Sequence, residues 1–556
     1  MVPPTKFNVA QTIGEALALH RQGRLREAER LYARVLKATP DNFDALHLLG
    51  LIKAQNSQMG EAYRLMSAAL KLKPDAPDAL VNLANVLHAL KRDGEALGVL
   101  DKALALRPGD PDALHYRGNT LLALARPAEA LACFDTVLTH EPRHIEALLN
   151  RGVALATLQR PQEALAAFGA ALAVAPKHGG AHYNRGNALA ALGRNEEALA
   201  AFDRSLSLAP DHAAAWNNRG RALQALNRCA EAVESYDRAL ALQKDYADAH
   251  FNRALALLTL GDLPRGFADY EWRWKRSGMT DTRRNYRGRL WLGEYPIAGK
   301  TILLGAEQGL GDTIQFARYV PLLARAGAKV VLEVQAELKA LLSQLDGVAS
   351  CHARGEALPP YDIYCPLGSL PLALKTETAT IPSDIPYLRA DERRIGKWRP
   401  QIEALPGKRV ALAWAGHARH ANDRNRSMAL EALTPLFALE GISFVSIQRE
   451  LRDGEDQALS RFQRVTHIGG GLDDMADTAA VIALADLTLA VDTSVAHLAG
   501  ALGRALSLML PFAPDWRWTL GGERCPWYPQ ARLYRQPAPG DWASVVAALR
   551  DDLVEL

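Results

Sequence analysis

The sequence predicts two fold classes in one chain: an all-α stack of helix–turn–helix units, then an α/β region of two parallel-sheet lobes. Three observations carry this reading. Pro40, Pro74, Pro108, Pro142, Pro176 and Pro210 recur every 34 residues, with Lys244 at the next step. Two small-residue columns keep the same period: Gly50, Ala84, Gly118, Gly152, Gly186, Gly220 and Ala254, and Ala28, Ala62, Ala96, Ala130, Ala164, Ala198 and Ala232. Beyond Arg276 the period stops, and short apolar runs alternate with glycine loops and amphipathic segments. A fixed period of this length marks stacked helical repeats, and alternating strands and helices mark parallel sheets.

Each unit reads as two amphipathic helices. In residues 179–212 the first helix carries GAHYNRGNALAALG and the second NEEALAAFDRSLSLA, closed by Pro210. Small residues let helix backbones approach, and proline ends a helix because its ring clashes with the preceding turn and it lacks an N–H. One unit cannot bury its apolar face alone, so the units stack into a superhelix. The columns resemble tetratricopeptide repeats over residues 9–276, with seven full units and a degenerate eighth. In the eighth, Gly266 replaces the alanine, and Lys244 replaces the proline before it.

Asn82, Asn150, Asn184, Asn218 and Asn252 sit two residues before the small column; Tyr116 and Leu48 hold that place in two other units. The position is expected on the concave side. A carboxamide ladder offers a donor and an acceptor at each step, which suits an extended peptide backbone. The O-GlcNAc transferase superhelix is similar, with an asparagine ladder that holds acceptor proteins. The alternative is that these side chains cap or cross-link neighbouring repeats.

A net charge of +3 points to neither a nucleic-acid nor an acidic partner. The five cysteines, Cys133, Cys229, Cys351, Cys365 and Cys525, show no paired spacing, which predicts reduced thiols in a cytoplasmic protein and no zinc site. The opening MVPPTKFNVAQ has no apolar core and reads as no secretory signal. The apolar stretch 478–513 is broken by Asp486, Asp492, His497 and Arg504, so it reads as buried core and not as a membrane span.

A basic connector, 277–295, follows EWRWK, whose two tryptophans offer packing surface. The first lobe is expected over 296–395, with strands at KTILLGAE (300–307), AKVVLEV (328–334) and IYCPL (363–367), and helices at 309–327 and around ELKALLSQL. ERRIGKWRPQIEALPG (392–407) joins it to the second lobe, 396–556. There RVALAWAG (409–416), ISFVSIQ (442–448), VTHIGG, DLTLAV and SLMLPF read as strands, the last closing the series. Helices are expected at EALTPLFALEG, DTAAVIALA and SVAHLAGALG. Two such series imply two Rossmann-like lobes with a cleft between them. Ligands of open parallel sheets bind at the carboxyl ends of strands.

Four loops fall there. In GAEQGLGDT, Gly309 and Gly311 allow backbone amides to approach an anion, with Asp312 as N-cap of the next helix; the bland reading is a plain cap. The loop is neither a Walker A nor a GxGxxG motif. WAGHARHANDRNRSM crowds His417, Arg419, His420, Arg424 and Arg426 after a strand, which suits a diphosphate, or else is a solvated basic loop. Gln448 follows ISFV and could read a base or ribose. Asp492 ends a strand, and Thr493 and Ser494 open a helix with His497 one turn on.

AEQGLGDTIQFARY followed by VDTSVAHLAGAL resembles glycosyltransferase family 9, the ADP-heptose transferases, over residues 296–540. That resemblance implies a GT-B architecture and metal-independent transfer of a sugar from a nucleotide-diphosphate sugar, with no cofactor. It implies Asp312 as catalytic base. It also implies donor contacts from Arg424 or Arg426 and from Asp492, Thr493, Ser494 and His497. The chain departs from the family at Ser494, where Gly is usual, and at Arg426, where Lys is usual. Its first lobe is short, which speaks against a lipopolysaccharide acceptor. The only D-x-D, Asp110-Pro111-Asp112, lies in a repeat turn. The combined expectation is a glycosyltransferase whose superhelix recruits an acceptor polypeptide. Alternatives are a glycan or lipid acceptor, or a non-catalytic scaffold with a decayed transferase domain.

Overall fold

A computed structural model describes residues 8–277, 286–419 and 422–555 of the chain. Residues 278–285 of the basic connector and His420 lie outside the described residues. The first half is an all-α superhelix of about 16 helices in pairs. These are α1 (Val9–Arg21) with α2 (Leu25–Ala38), α3 (Phe43–Gln55) with α4 (Met59–Leu72), and α5 (Pro77–Ala89) with α6 (Asp93–Leu106). Next come α7 (Pro111–Ala123) with α8 (Pro127–His140), α9 (Ile145–Thr157) with α10 (Pro161–Val174), and α11 (Gly179–Ala191) with α12 (Asn195–Leu208). The last pairs are α13 (Ala213–Ala225) with α14 (Cys229–Leu242), and α15 (Ala247–Thr259) with the short α16 (Leu263–Tyr270).

The glycine column is explained by what faces it. A Cβ on Gly118 would sit 2.5 Å from Phe134 Cε1, on Gly186 2.6 Å from Phe202 Cε1, and on Gly220 2.5 Å from Tyr236 Cε1. In these units the first helix gives up its side chain so that a fully buried ring of the second can fill the space. Gly266 follows the same logic: an added Cβ would meet Leu258 Cγ at 2.7 Å, so even alanine is too large there. Between the helices of each pair, one residue adopts the left-handed conformation. Glycine or asparagine holds that place at Gly23, Gly193, Asn227 and Gly261, but Ser57, Lys91, Ala125 and Gln159 also adopt it, at φ +55 to +61°.

The chain forms two compact units, 1–211 and 212–556. The first contains α1–α12. The second contains the last two helix pairs and both sheets, so the expected boundary at residue 276 falls inside a packed unit. Here Phe267 meets Trp516 edge to face at 5.7 Å, and Asn227 Nδ2 donates to the Phe512 carbonyl at 2.5 Å. Arg273 of the EWRWK turn is 1 % exposed; it donates to Glu271 at 2.5 Å, Ser369 at 2.7 Å and Glu307 at 3.1 Å. Burial pushes the Glu307 carboxyl up, against the pull of Arg273. Trp272 stacks on His250 of α15, ring centroids 3.8 Å apart.

The first sheet is parallel, in the order β1 (Arg289–Leu290), β5 (Ile363–Pro366), β2 (Thr301–Gly305), β3 (Lys329–Val334), β4 (Val348–Ala353). Its helices are α17 (Leu310–Ala317), α18 (Val320–Arg325), α19 (Ala336–Leu342) and α20 (Leu370–Ala373). One helix was expected over 309–327; the chain breaks it at Arg318–Tyr319 ahead of Pro321. β1 and β4 were not expected. The helix α21 (Glu392–Glu403) leads into the second sheet.

That sheet runs β11 (Ala531–Arg535), β10 (Leu506–Leu510), β9 (Leu487–Val491), β6 (Lys408–Ala413), β7 (Ile442–Ser446), β8 (Val465–His467), all parallel. Its helices are α22 (Asp423–Arg426), α23 (Thr434–Phe437), α24 (Glu455–Leu459), α25 (Met475–Leu484), α26 (Ser494–Ala501) and α27 (Trp542–Val554). SLMLPF does not close the series: β11 and α27 follow it. One continuous apolar core links the sheets, from Ile302 and Ile314 to Leu498 and Leu508. Among the described residues no helix is long and apolar enough to cross a membrane.

Candidate functional site

In the second sheet the strand order reverses between β6 and β9. The loops leaving these two strands therefore diverge to opposite sides and open a crevice at their carboxyl ends. The loop after β6 carries Arg426, and the loop after β9 carries Asp492 and Thr493. Arg426 Nη1 donates to the Asp492 carbonyl at 3.1 Å, bridging the crevice. Among the described residues its Nε, which is buried, has no partner, and neither has Thr493 Oγ1 at the N-cap of α26. A buried polar atom left unpaired is costly, so two in one crevice make it the candidate site.

The helix α17 of the first sheet abuts α26. A Cβ on Gly311 would meet His497 Cδ2 at 2.7 Å, so this glycine serves helix contact. Gly309, not Asp312, is the N-cap of α17, and its N–H donates to Asp312 Oδ2 at 2.9 Å. The Gly309 amide expected to face an anion is thus held by the Asp312 carboxylate instead. Asp312 Oδ1 is ion-paired with Arg517, which also donates to Gln315 and, at 2.8 Å, to Asp515. Burial and the nearby Asp515 charge raise the Asp492 carboxyl to about 6. Burial and the charges of Arg517, Arg318 and Arg426 hold His497 well below its ordinary value, so it is neutral. His497 Nδ1 bonds Tyr528 OH at 3.1 Å, and its ring lies 5.2 Å from Trp518.

Gln448 turns its carboxamide onto backbone groups of its own sheet. Its Oε1 accepts from the Trp414 and Ala415 amides, both at 3.2 Å, and its Nε2 donates to the Ala415 and Glu450 carbonyls at 3.0 and 3.1 Å. Every polar group of that carboxamide is used to brace β6 against β7. Arg424 is exposed on α22, Ser494 is half-buried at the first turn of α26, and His417 and Arg419 are exposed.

Sequence reasoning missed Arg517, Asp515 and Tyr528. A signal was present: WRW follows the carboxyl end of β10, where loops of parallel sheets carry function. It also missed that α15 and α16 wall this region. Tyr270 OH donates to Gln308 Oε1 at 2.9 Å, on the loop leading to Asp312, and burial beside the Asp312 charge pushes the phenol up to about 12.

In the repeats, all five ladder asparagines are half-buried. Asn82 Nδ2 bonds His47 at 3.0 Å, Asn150 Nδ2 donates to Asn119 at 2.8 Å, and Asn252 Nδ2 donates to Asn217 at 2.9 Å, each reaching the preceding unit. Asn217 Nδ2 in turn donates to Asn218 Oδ1 at 3.0 Å, and Asn184 occupies the same register.

Comparisons with known proteins fit this division. Models described as tetratricopeptide repeat match residues 117–168, 179–245 and 217–280. One described as anaphase-promoting complex, cyclosome, subunit 3 matches residues 21–103. The N-terminal region is built of tetratricopeptide repeats. Protein FlbA of Caulobacter vibrioides is 28% identical over 323 residues, 53% of this chain. The chain spans about half the length of that curated relative, 53%. Among solved structures, a tetratricopeptide repeat protein from Parabacteroides merdae is 19% identical, with TM-score 0.37, over 45% of this chain and 98% of its own. YrrB, titled a TPR protein with an unusual peptide-binding site, is 26% identical with TM-score 0.29, over 33% of this chain and 95% of its own.

Proposed function

We propose that the chain is a glycosyltransferase of GT-B type, similar to family 9, that transfers a sugar from a nucleotide-diphosphate sugar to a polypeptide recruited by its repeats. The observation that carries this reading is the pair of unpartnered buried groups, Arg426 Nε and Thr493 Oγ1, at the switch point beside the N-terminus of α26. A guanidinium and a helix N-terminus suit a diphosphate. The acceptor hydroxyl gives its proton to Asp312 as its oxygen bonds to the anomeric carbon. The bond from that carbon to the diphosphate breaks, and the leaving oxygen takes the electron pair, stabilised by Arg426 and the α26 amides. The Asn ladder and its neighbours receive the polypeptide. Five unpaired cysteines support a reducing compartment, the cytoplasm.

A second reading, a non-catalytic scaffold, is favoured by Asp312 itself, whose two carboxylate oxygens are already engaged by Gly309 and Arg517. A glycan or lipid acceptor would use the same donor site. Incubation of the protein with nucleotide sugars and cell extract, read as release of nucleoside diphosphate, separates these readings. Release that is lost in Asp312→Ala supports transfer; release unchanged in that variant removes the base; no release with any donor favours the scaffold.

A further inference from the structure

One inter-repeat ladder is broken at its middle. The residue before the small column is arginine in five successive units: Arg117, Arg151, Arg185, Arg219 and Arg253. Sixteen residues upstream, on the preceding unit's second helix, stand Asp101, Asp135, Gly169, Asp203 and Asp237. Arg117 Nε donates to Asp101 at 2.8 Å, Arg151 Nε to Asp135 at 2.6 Å, and Arg253 Nη1 to Asp237 at 2.6 Å. Arg185 has no such carboxylate, because Gly169 stands in the column. A Cβ added there would meet no atom within 4 Å, so the space is open, and the position is exposed.

Among the described residues no other acid takes the vacant role. Glu197 feels the Arg185 charge, but its own carboxylate is forked by Arg194 at 2.7 and 2.8 Å, which is the larger cause of its lowered pKa. Arg185 itself is half-buried, so its stem is ordered before any partner arrives. It directly follows Asn184 of the carboxamide ladder. A guanidinium held this way accepts a carboxylate through two parallel N–H bonds at less entropic cost than a free side chain.

We propose that Arg185 is a docking point for an acidic side chain of a partner polypeptide, whose carboxylate enters the gap left by Gly169. The aspartates of the neighbouring units show the geometry that the incoming group would copy. This inference does not depend on the transferase reading.

The test uses the full chain and two short labelled Ser/Gly peptides, identical except for a central Glu-Ser-Glu or Gln-Ser-Gln. Fluorescence anisotropy should show the Glu peptide bound about three- to tenfold more tightly, the range expected of one ordered ion pair. Gly169→Asp restores the internal ladder and should abolish that preference while leaving the protein at least as thermally stable. Arg185→Gln should abolish it too. Ser207→Asp, which adds the same charge at another exposed position, should leave it intact. A wild-type protein with no Glu preference, or a preference that survives Gly169→Asp, would overturn the proposal.

Discussion

Arg517 is ion-paired with Asp312 across the two sheets, the guanidinium arriving from the loop after β10 and the carboxylate from the first turn of α17. The Arg517 side chain is only 7% exposed, and it is shared with Asp515 and Gln315. The two lobes are thus joined by charge at the point where the proposed base stands.

Removing that buried guanidinium takes the shared partner from two half-buried carboxylates, Asp312 and Asp515, and from Gln315. Arg517→Ala is expected to cost on the order of 3 kcal/mol of stability. Asp312→Asn should cost far less, because Arg517 keeps Asp515 and Gln315. Urea unfolding of the two variants checks the ranking, and equal costs would contradict it.

Asp492 carries a pH signature. Its native carboxyl titrates at about 6, above the value of about 3.9 in an unfolded chain. Below the lower value both states are protonated and the residue is neutral to stability. As pH rises toward the native value the unfolded state ionises first, and the wild type loses stability. Asp492→Asn should match the wild type in melting temperature near the lower pH and exceed it above the native value. A constant offset at all pH values would contradict this.

The repeat turns predict opposite outcomes for glycine. Ala125 and Gln159 adopt φ of +55° and +59° without a glycine's freedom. Ala125→Gly and Gln159→Gly should each stabilise by about 0.5–1 kcal/mol. Gly186→Val, which drives a side chain into Phe202, should destabilise by about 2 kcal/mol or more. Chemical denaturation of the single variants measures all three.

The division at residue 211 predicts which fragments fold. Residues 212–556 should give a cooperative melt and an ordered near-ultraviolet circular dichroism spectrum. Residues 286–556 should not, because Trp516 loses Phe267, and Glu307 loses Arg273. A well-folded shorter fragment would contradict the assignment of the last repeats to the sheet-bearing unit.

The repeats were legible because a 34-residue period exposes every packing column at once, and even the departure at Gly266 has its cause in Leu258. The strands of the two sheets were legible where they are mainly apolar and free of charge, as in Leu487–Val491. β4 was missed because Ser350 and His352 interrupt its apolar run, and β11 because Arg532 and Arg535 do the same. Within the candidate site, the order of apolar runs placed Arg426 and Thr493 in the segments that follow β6 and β9. It could not show that Gln448 turns inward to the Trp414 amide, since direction depends on the neighbouring strand. Nor could it show that Arg517 reaches across more than two hundred residues of sequence to Asp312.

The proposed donor site lies at the β6–β9 switch point. Isothermal titration of the full chain with a panel of nucleoside diphosphates and nucleotide sugars tests it most directly. The account predicts saturable binding of at least one nucleotide, weakened at least tenfold in both Arg426→Ala and Thr493→Val. Binding that is indifferent to both substitutions, or no binding by any member of the panel to the folded wild type, would contradict it.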